Sequence, residues 1–153
     1  MDQHSGTAHQ RAAESWRPWP LDRAQGESQA GGVQSTHWTH PRADCAHGAG
    51  LAVVMPAWMT FVHGADDARF ARFARNVFGV GRGEGDAKAA LDGIAAFRAW
   101  LKSLGLPLNF AELGAREEDI PLLVKTLNLS GNTLGSFKPL TADDVAAIYR
   151  LCL

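Results

Sequence analysis

From Asp44 to the C-terminus the apolar residues recur at helical spacing, and no stretch alternates apolar and polar as a half-buried strand would. That single pattern predicts an all-α fold of about five helices, with no sheet to carry a nucleotide site. A first helix is expected over about Ala46 to Val62, with Asp44 as a candidate N-cap and Gly64 as its stop. Pro56 lies inside it and should free the carbonyl of Ala52 and bend the axis. A second helix starts near Asp66. Its stripe is Phe70, Phe73, Ala74, Val77 and Phe78, with Arg69, Arg72 and Arg75 on the other side and Gly79 at the end.

A third helix spans roughly Asp86 to Leu104, where Ala90, Leu91, Ile94, Phe97, Leu101 and Leu104 repeat. Gly105 and then Pro107 give the usual stop order. Leu106 to Gly114 reads as an extended loop anchored by Phe110 and Leu113. A fourth helix begins around Glu117, whose acidic first turn suits the helix dipole; Pro121 is tolerated near that start. After a turn-rich connection, Asn128 to Pro139, the last helix opens at Thr141 with Asp144 in a capping-box relation. Val145, Ile148, Tyr149 and Cys152 form its buried stripe.

Residues 1–43 read differently. They are rich in Gln, His, Arg, Ser, Gly and Pro, and three of the five tryptophans (Trp16, Trp19, Trp38) stand there without period. We expect this stretch to be a disordered leader, or text from an out-of-frame reading or a wrongly called start. Residues 44–153 are then the folded part.

A chain of 153 residues with net charge -1 suits one domain, and nothing in that balance favours nucleic acid or an anionic membrane. No apolar run reaches membrane-spanning length in this reading, and the N-terminus has no apolar signal core. Two cysteines far apart, Cys45 and Cys152, make no disulfide framework and fit a reducing cytoplasm.

His47 is the candidate with most chemical content. An imidazole in a helix's first turn, beside Gly48 and Gly50, projects into a cleft without crowding, and its neutral nitrogen suits Zn(II) or Fe(II). A lone histidine at a helix start is more often structural or solvated. His37, His40, Cys45 and His47 have the right donors for a local zinc site, but Cys45 and His47 are two apart and should point to different sides. The run Gly81-Arg82-Gly83-Glu84-Gly85 invites a dinucleotide reading, yet a helix precedes it and the spacing is G-x-G-x-G, so a flexible interhelix loop is expected. The arginine face is read as solvated, His63 as a complement to a helix C-terminus, and Trp58 and Trp100 as core.

The segment DCAHGAGLAVVMPAWMTFV, followed by RFARFARNVFGV, LDGIAAFRAWLKSLGLPL and FKPLTADDVAAIYRL, resembles the C-terminal part of the iron-type, butanol-dehydrogenase-like alcohol dehydrogenases. The resemblance covers residues 44–153. It implies part of the C-terminal helical domain of the dehydroquinate synthase-like fold, and an enzyme that interconverts alcohols and aldehydes with NAD(P) and a metal, Fe(II) or Zn(II). It also implies that an aspartate and three histidines hold that metal, the last being His47. The preceding ligand position falls on Val33, while His37 occupies the second histidine of the H-x3-H pattern. No D-x3-H spacing occurs in residues 1–43. The expectation is therefore a truncated dehydrogenase, inactive alone, binding neither metal nor NAD(P) by itself. The alternative is a non-catalytic helical remnant or interaction module that self-associates through exposed apolar faces.

Overall fold

The computed structural model describes residues 39–40 and 43–153, all within one unit, Ser35–Leu153. The expected leader, residues 1–43, lies outside the described residues except for Thr39, His40 and Ala43. Two very short strands come first, β1 (Thr39–His40) and β2 (Ala43–Asp44), paired antiparallel. Five α-helices follow: α1 (His47–Val62), α2 (Asp67–Phe73), α3 (Asp86–Ser103), α4 (Ile120–Thr126) and α5 (Ala142–Arg150). The all-α reading holds, since the hairpin is two residues a side and carries no layer of its own.

α1 is the central helix. Ala52, Val53, Pro56, Ala57, Met59 and Val62 are buried on it, and it packs against α3 and α5. Asp44 does not cap it. Asp44 is in β2, and the cap position is Ala46, which offers no side-chain acceptor. Nor does Gly64 stop the chain. α1 gives way at Val62 to a 3₁₀ turn, His63–Ala65, that runs through Gly64. Contrary to the sequence expectation, His47–Ala65 is long and apolar enough to cross a bilayer by length and composition, with hydropathy 1.3. A third of that stretch is buried, on the side that packs against α3 and α5.

The polar termini explain where the other helices begin and end. Asp66 caps α2 by accepting the Arg69 N–H at 3.0 Å. A π-helical turn, Ala74–Phe78, extends α2 to Gly79. α3 closes with Gly105 at φ 71, a left-handed conformation open to glycine at no steric cost, and the Leu106 N–H returns to the Leu101 carbonyl at 3.2 Å. The turn Glu117–Asp119 leads into α4 and places Pro121 in its first turn. Thr141 and Asp144 form the expected capping box at α5: the Asp144 N–H donates to Thr141 Oγ1 at 3.2 Å, and the Thr141 N–H donates to Asp144 Oδ2 at 2.9 Å.

α2 and α3 pack along one another, and one glycine sets how closely. A Cβ on Gly93 would overlap both Cβ and Cα of Ala74, so α3 meets the end of α2 backbone to side chain. Phe73, Phe78, Phe97 and Trp100 form a run of ring contacts over this pair. Two stripe positions, Val77 and Leu91, and Trp100, expected in the core, depart from expectation. Val77 is 62% exposed, Leu91 47% and Trp100 49%. Val77 falls in the π turn, where the extra residue rotates it off the apolar stripe. Leu91 lies on α3's outer side, and Trp100 stacks on Phe97 at the outer end of the aromatic run. Trp58 is half-buried against Phe70 and Phe137, as a core residue should be.

The connection between α4 and α5 is held at two points. Leu134 and Leu140 exchange backbone hydrogen bonds at 2.8 and 2.9 Å. Phe137 packs edge-on to Trp58 and Phe70, under the Arg69 guanidinium, which lies 5.2 Å from its ring centre.

Candidate functional site: an apolar cleft beside His47

The start of α1 forms one wall of a cleft of about 100 Å³. Cys45, His47, Gly50, Leu51 and Val54 line that wall; Phe110, Leu113, Ala115, Leu123 and Tyr149 line the rest. His47 is exposed and sits at the rim. Cys45 is half-buried, with Sγ 3.6 Å from where a Cβ on Gly50 would lie. Cys45 and His47 both line this cleft, Cys45 just before α1 and His47 at its first residue.

The far wall is fixed by hydrogen bonds that sequence alone does not show. The Phe110 N–H donates to the Cys152 carbonyl at 2.7 Å, tying the loop after α3 to the end of α5. The loop folds into one 3₁₀ turn, Ala111–Leu113, rather than remaining extended. Asn109 and Glu112 brace it reciprocally: Asn109 Nδ2 donates to the Glu112 carboxylate at 2.9 Å, and the Glu112 N–H donates to Asn109 Oδ1 at 3.0 Å. The Phe110 ring packs on Tyr149 at 5.7 Å. Phe110 and Leu113 are the anchors the sequence named.

Burial sets the chemistry of the ionisable groups behind the wall. It pushes the Tyr149 phenol up to about 12, with the Cys152 thiol adding to the effect. It also pushes the Cys152 thiol up to about 11, partly opposed by Arg98. Both stay neutral across the physiological range. The Cys152 thiol lies 3.4 Å from the Ile148 carbonyl and 3.8 Å from that of Val53. Neither group is poised as a nucleophile or base.

Among the described residues no three His, Cys, Asp or Glu side chains come together as a metal site. The cleft offers one imidazole and one thiol. Tight binding of a divalent ion needs several preorganised donors, so these residues alone do not fit the metal centre the resemblance implies. Val33 and His37 lie outside the described residues, as do the side-chain positions of His40. The other singled-out residues fall elsewhere. His63 Nδ1 meets Asp67 Oδ1 at 2.6 Å, a side-chain partner rather than only a helix end. Arg69 pairs with Asp66 at 3.4 Å. Arg75 clips the glycine-rich link, so that link is a pinned turn between two helices and not a nucleotide loop.

The described part is thus an all-helical unit with a histidine in the first turn of α1 beside an apolar cleft. The chain belongs to the Fe-containing alcohol dehydrogenase family, matching its C-terminal region over residues 37–153. That match begins inside the segment 1–43, at His37. The chain is 32% identical over 109 residues to NADH-dependent butanol dehydrogenase A of Clostridium acetobutylicum, covering 70% of this chain and 28% of that protein. It is 31% identical to an NADPH-dependent aldehyde reductase of Escherichia coli, covering 68% of this chain and 27% of that one. The crystal structure of NADH-dependent butanol dehydrogenase A from Thermotoga maritima superposes with a TM-score of 0.65 at 42% identity, over 71% of this chain and 29% of that chain. This chain therefore spans less than a third of the length of the relatives it matches.

Proposed function

We propose that residues 44–153 are the helical part of an NAD(P)-dependent, metal-containing alcohol dehydrogenase that interconverts alcohols and aldehydes, with His47 at a metal ligand's position. The observation that carries this is the placement of His47 at the open end of α1, at the rim of the apolar cleft, inside the family match. The metal, when bound in such an enzyme, acts as a Lewis acid on the alcohol or carbonyl oxygen. What this chain's own residues contribute is narrower. His47 offers one donor, and Leu51, Val54, Phe110, Leu113 and Leu123 offer an apolar surface that excludes water. With one imidazole and one thiol at the cleft among the described residues, we expect these residues alone neither to hold Fe(II) or Zn(II) tightly nor to turn over.

The test is direct. The purified chain is titrated with NADH and NADPH by fluorescence, and alcohol-dependent reduction of NAD and NADP is followed with Fe(II) or Zn(II) added. We expect neither binding nor turnover. Alcohol-dependent reduction by this chain alone, abolished in His47→Ala, would overturn the inactive reading while upholding the assignment of His47. The free thiols Cys45 and Cys152 fit a reducing, cytoplasmic setting.

A second reading is a non-catalytic helical module that associates with another chain. The exposed Val77 and Trp100, on the outer side of the α2–α3 pair, favour it. Sedimentation of the native chain and of Trp100→Ser separates the readings, since a monomer at all concentrations excludes self-association.

A further inference from the structure

Tyr149 is the single tyrosine of the chain and is 3% exposed. Its ring rests on Phe110, and it lines the apolar cleft at the head of α1. Among the described residues no hydrogen bond reaches its hydroxyl. A buried phenol usually finds a partner, because leaving the O–H bare forfeits the hydrogen bonds it made in water. A phenylalanine would fill the same place without that cost. The hydroxyl remains a donor, since burial pushes its acidity up to about 12.

We propose that the cleft binds a short, uncharged alkyl chain bearing one oxygen, and that the Tyr149 hydroxyl donates its hydrogen bond to that oxygen. The cavity and the bare hydroxyl point to this ligand separately. Leu51, Val54, Leu113 and Leu123 give the chain an apolar bed, and no carboxylate, lysine or arginine lines the cleft to hold an ion. Size sets the length. An apolar cavity of about 150 Å³ takes the six carbons of benzene, so this cleft of about 100 Å³ takes about four. A hydrocarbon would leave the hydroxyl bare, and an ion would lose its hydration without a counter-charge. A primary alcohol or aldehyde satisfies the apolar bed and the donor at once. Naming an alcohol or aldehyde rests on the dehydrogenase reading; the cleft, the bare hydroxyl and the one-oxygen chain do not.

1-Butanol is the probe, and the full chain reports its binding in two ways. Cys45 lines the cleft half-buried, so an occupant should slow its reaction with Ellman's reagent in a saturable way. Cys152 is 1% exposed and reacts only on unfolding, which makes it an internal check of the fold. Tyr149→Phe should keep the Tm or raise it, and should weaken protection by 1-butanol roughly fivefold. Protection by 1-chlorobutane, which has the chain without the oxygen, should be alike in both proteins. Equal protection by 1-butanol in the native chain and Tyr149→Phe, or none in the native chain, would overturn the proposal. So would a lower Tm in Tyr149→Phe, because the hydroxyl would then be satisfied within the fold. A gain of roughly fourfold per methylene that continues unchanged through 1-octanol would also sink it, by marking an open apolar surface. Should the variant expose Cys152, the native chain decides alone. As its single tyrosine, Tyr149 gives an unmixed Raman doublet, which should change from a bare to a donating hydroxyl at the same 1-butanol concentration that protects Cys45. A doublet that stays constant overturns the assignment. Neither readout uses metal or nicotinamide. Loss of both signals therefore fails the cleft and leaves the place of His47 untouched, while their presence in a chain unrelated to alcohol oxidation fails only that reading.

Discussion

The Arg75 guanidinium spans the glycine-rich link. Nη1 lies 2.8 Å from Asp86 Oδ1, Nη2 donates to the Glu84 carbonyl at 2.8 Å, and Nε donates to the Gly81 carbonyl at 3.2 Å. One side chain from the end of the α2 segment thus fixes the start of α3. A link rich in glycine is expected to be loose, and this contact makes it specific.

Arg75→Ala should cost about 1–2 kcal/mol, the scale of two hydrogen bonds and a half-exposed ion pair. Arg75→Lys should recover only part, because one ammonium cannot reproduce the planar fork. Urea denaturation midpoints measure both. A midpoint unchanged in Arg75→Ala would show that the clip does not stabilise the fold.

Gly93→Ala should destabilise even though alanine is the better helix former. The added methyl would overlap Ala74, and overpacking costs about 1–3 kcal/mol against a helix-propensity gain of about 1 kcal/mol. Combining it with Ala74→Gly should restore part of the loss. Thermal melts of the single and double variants test the contact, and additive losses would refute it.

Alkaline pH should weaken the fold through Cys152. Its thiol is raised from 9.0 to about 11 in the native state, so between these values the native chain keeps a proton that the unfolded chain has released. Stability from this group is complete below pH 9.0 and is lost as pH rises toward about 11. The slope approaches about 1.4 kcal/mol per pH unit at most. Tyr149 extends the same decline, from 10.0 toward about 12. Cys152→Ala should flatten the first part of the curve, followed by denaturant midpoints against pH.

On the acid side the capping box should matter. The Thr141 N–H and hydroxyl hold the Asp144 carboxyl below its usual value. Its contribution is therefore present above the unfolded carboxylate range and lost as pH falls through the lower native value. Asp144→Asn should lower the Tm near neutral pH, and the gap to the native chain should narrow in acid. A gap independent of pH would mean that the charge is irrelevant to the cap.

Helix positions were legible because their causes are local. Asp66, Gly105 and the Thr141–Asp144 pair act within a few residues, and the chain states them directly. The stripe of α5 was equally plain: Val145, Ile148 and Tyr149 are buried as their spacing says. Val77 and Trp100 were not legible. A π turn and an aromatic run that ends at the surface are outcomes of how α2 and α3 meet. Asp44 failed as a cap because the backbone there joins a hairpin, and pairing with Thr39 is invisible to a helix-start rule.

The candidate site divides in the same way. His47 could be singled out from its place before small residues at the head of an apolar helix, and the family's text follows it to the C-terminus. The cleft itself could not be read. Phe110, Leu123 and Tyr149 come from three distant segments, brought together by the Phe110–Cys152 backbone bond and the packing of α4 on α5. The sequence by itself determined the helical fold class and the family, since periodicity, caps and motif are properties of neighbours along the chain. The tertiary structure alone decided that Cys45 and His47 share an apolar cleft with those three residues, because which side chains meet across a core depends on helix packing and loop closure, not on spacing.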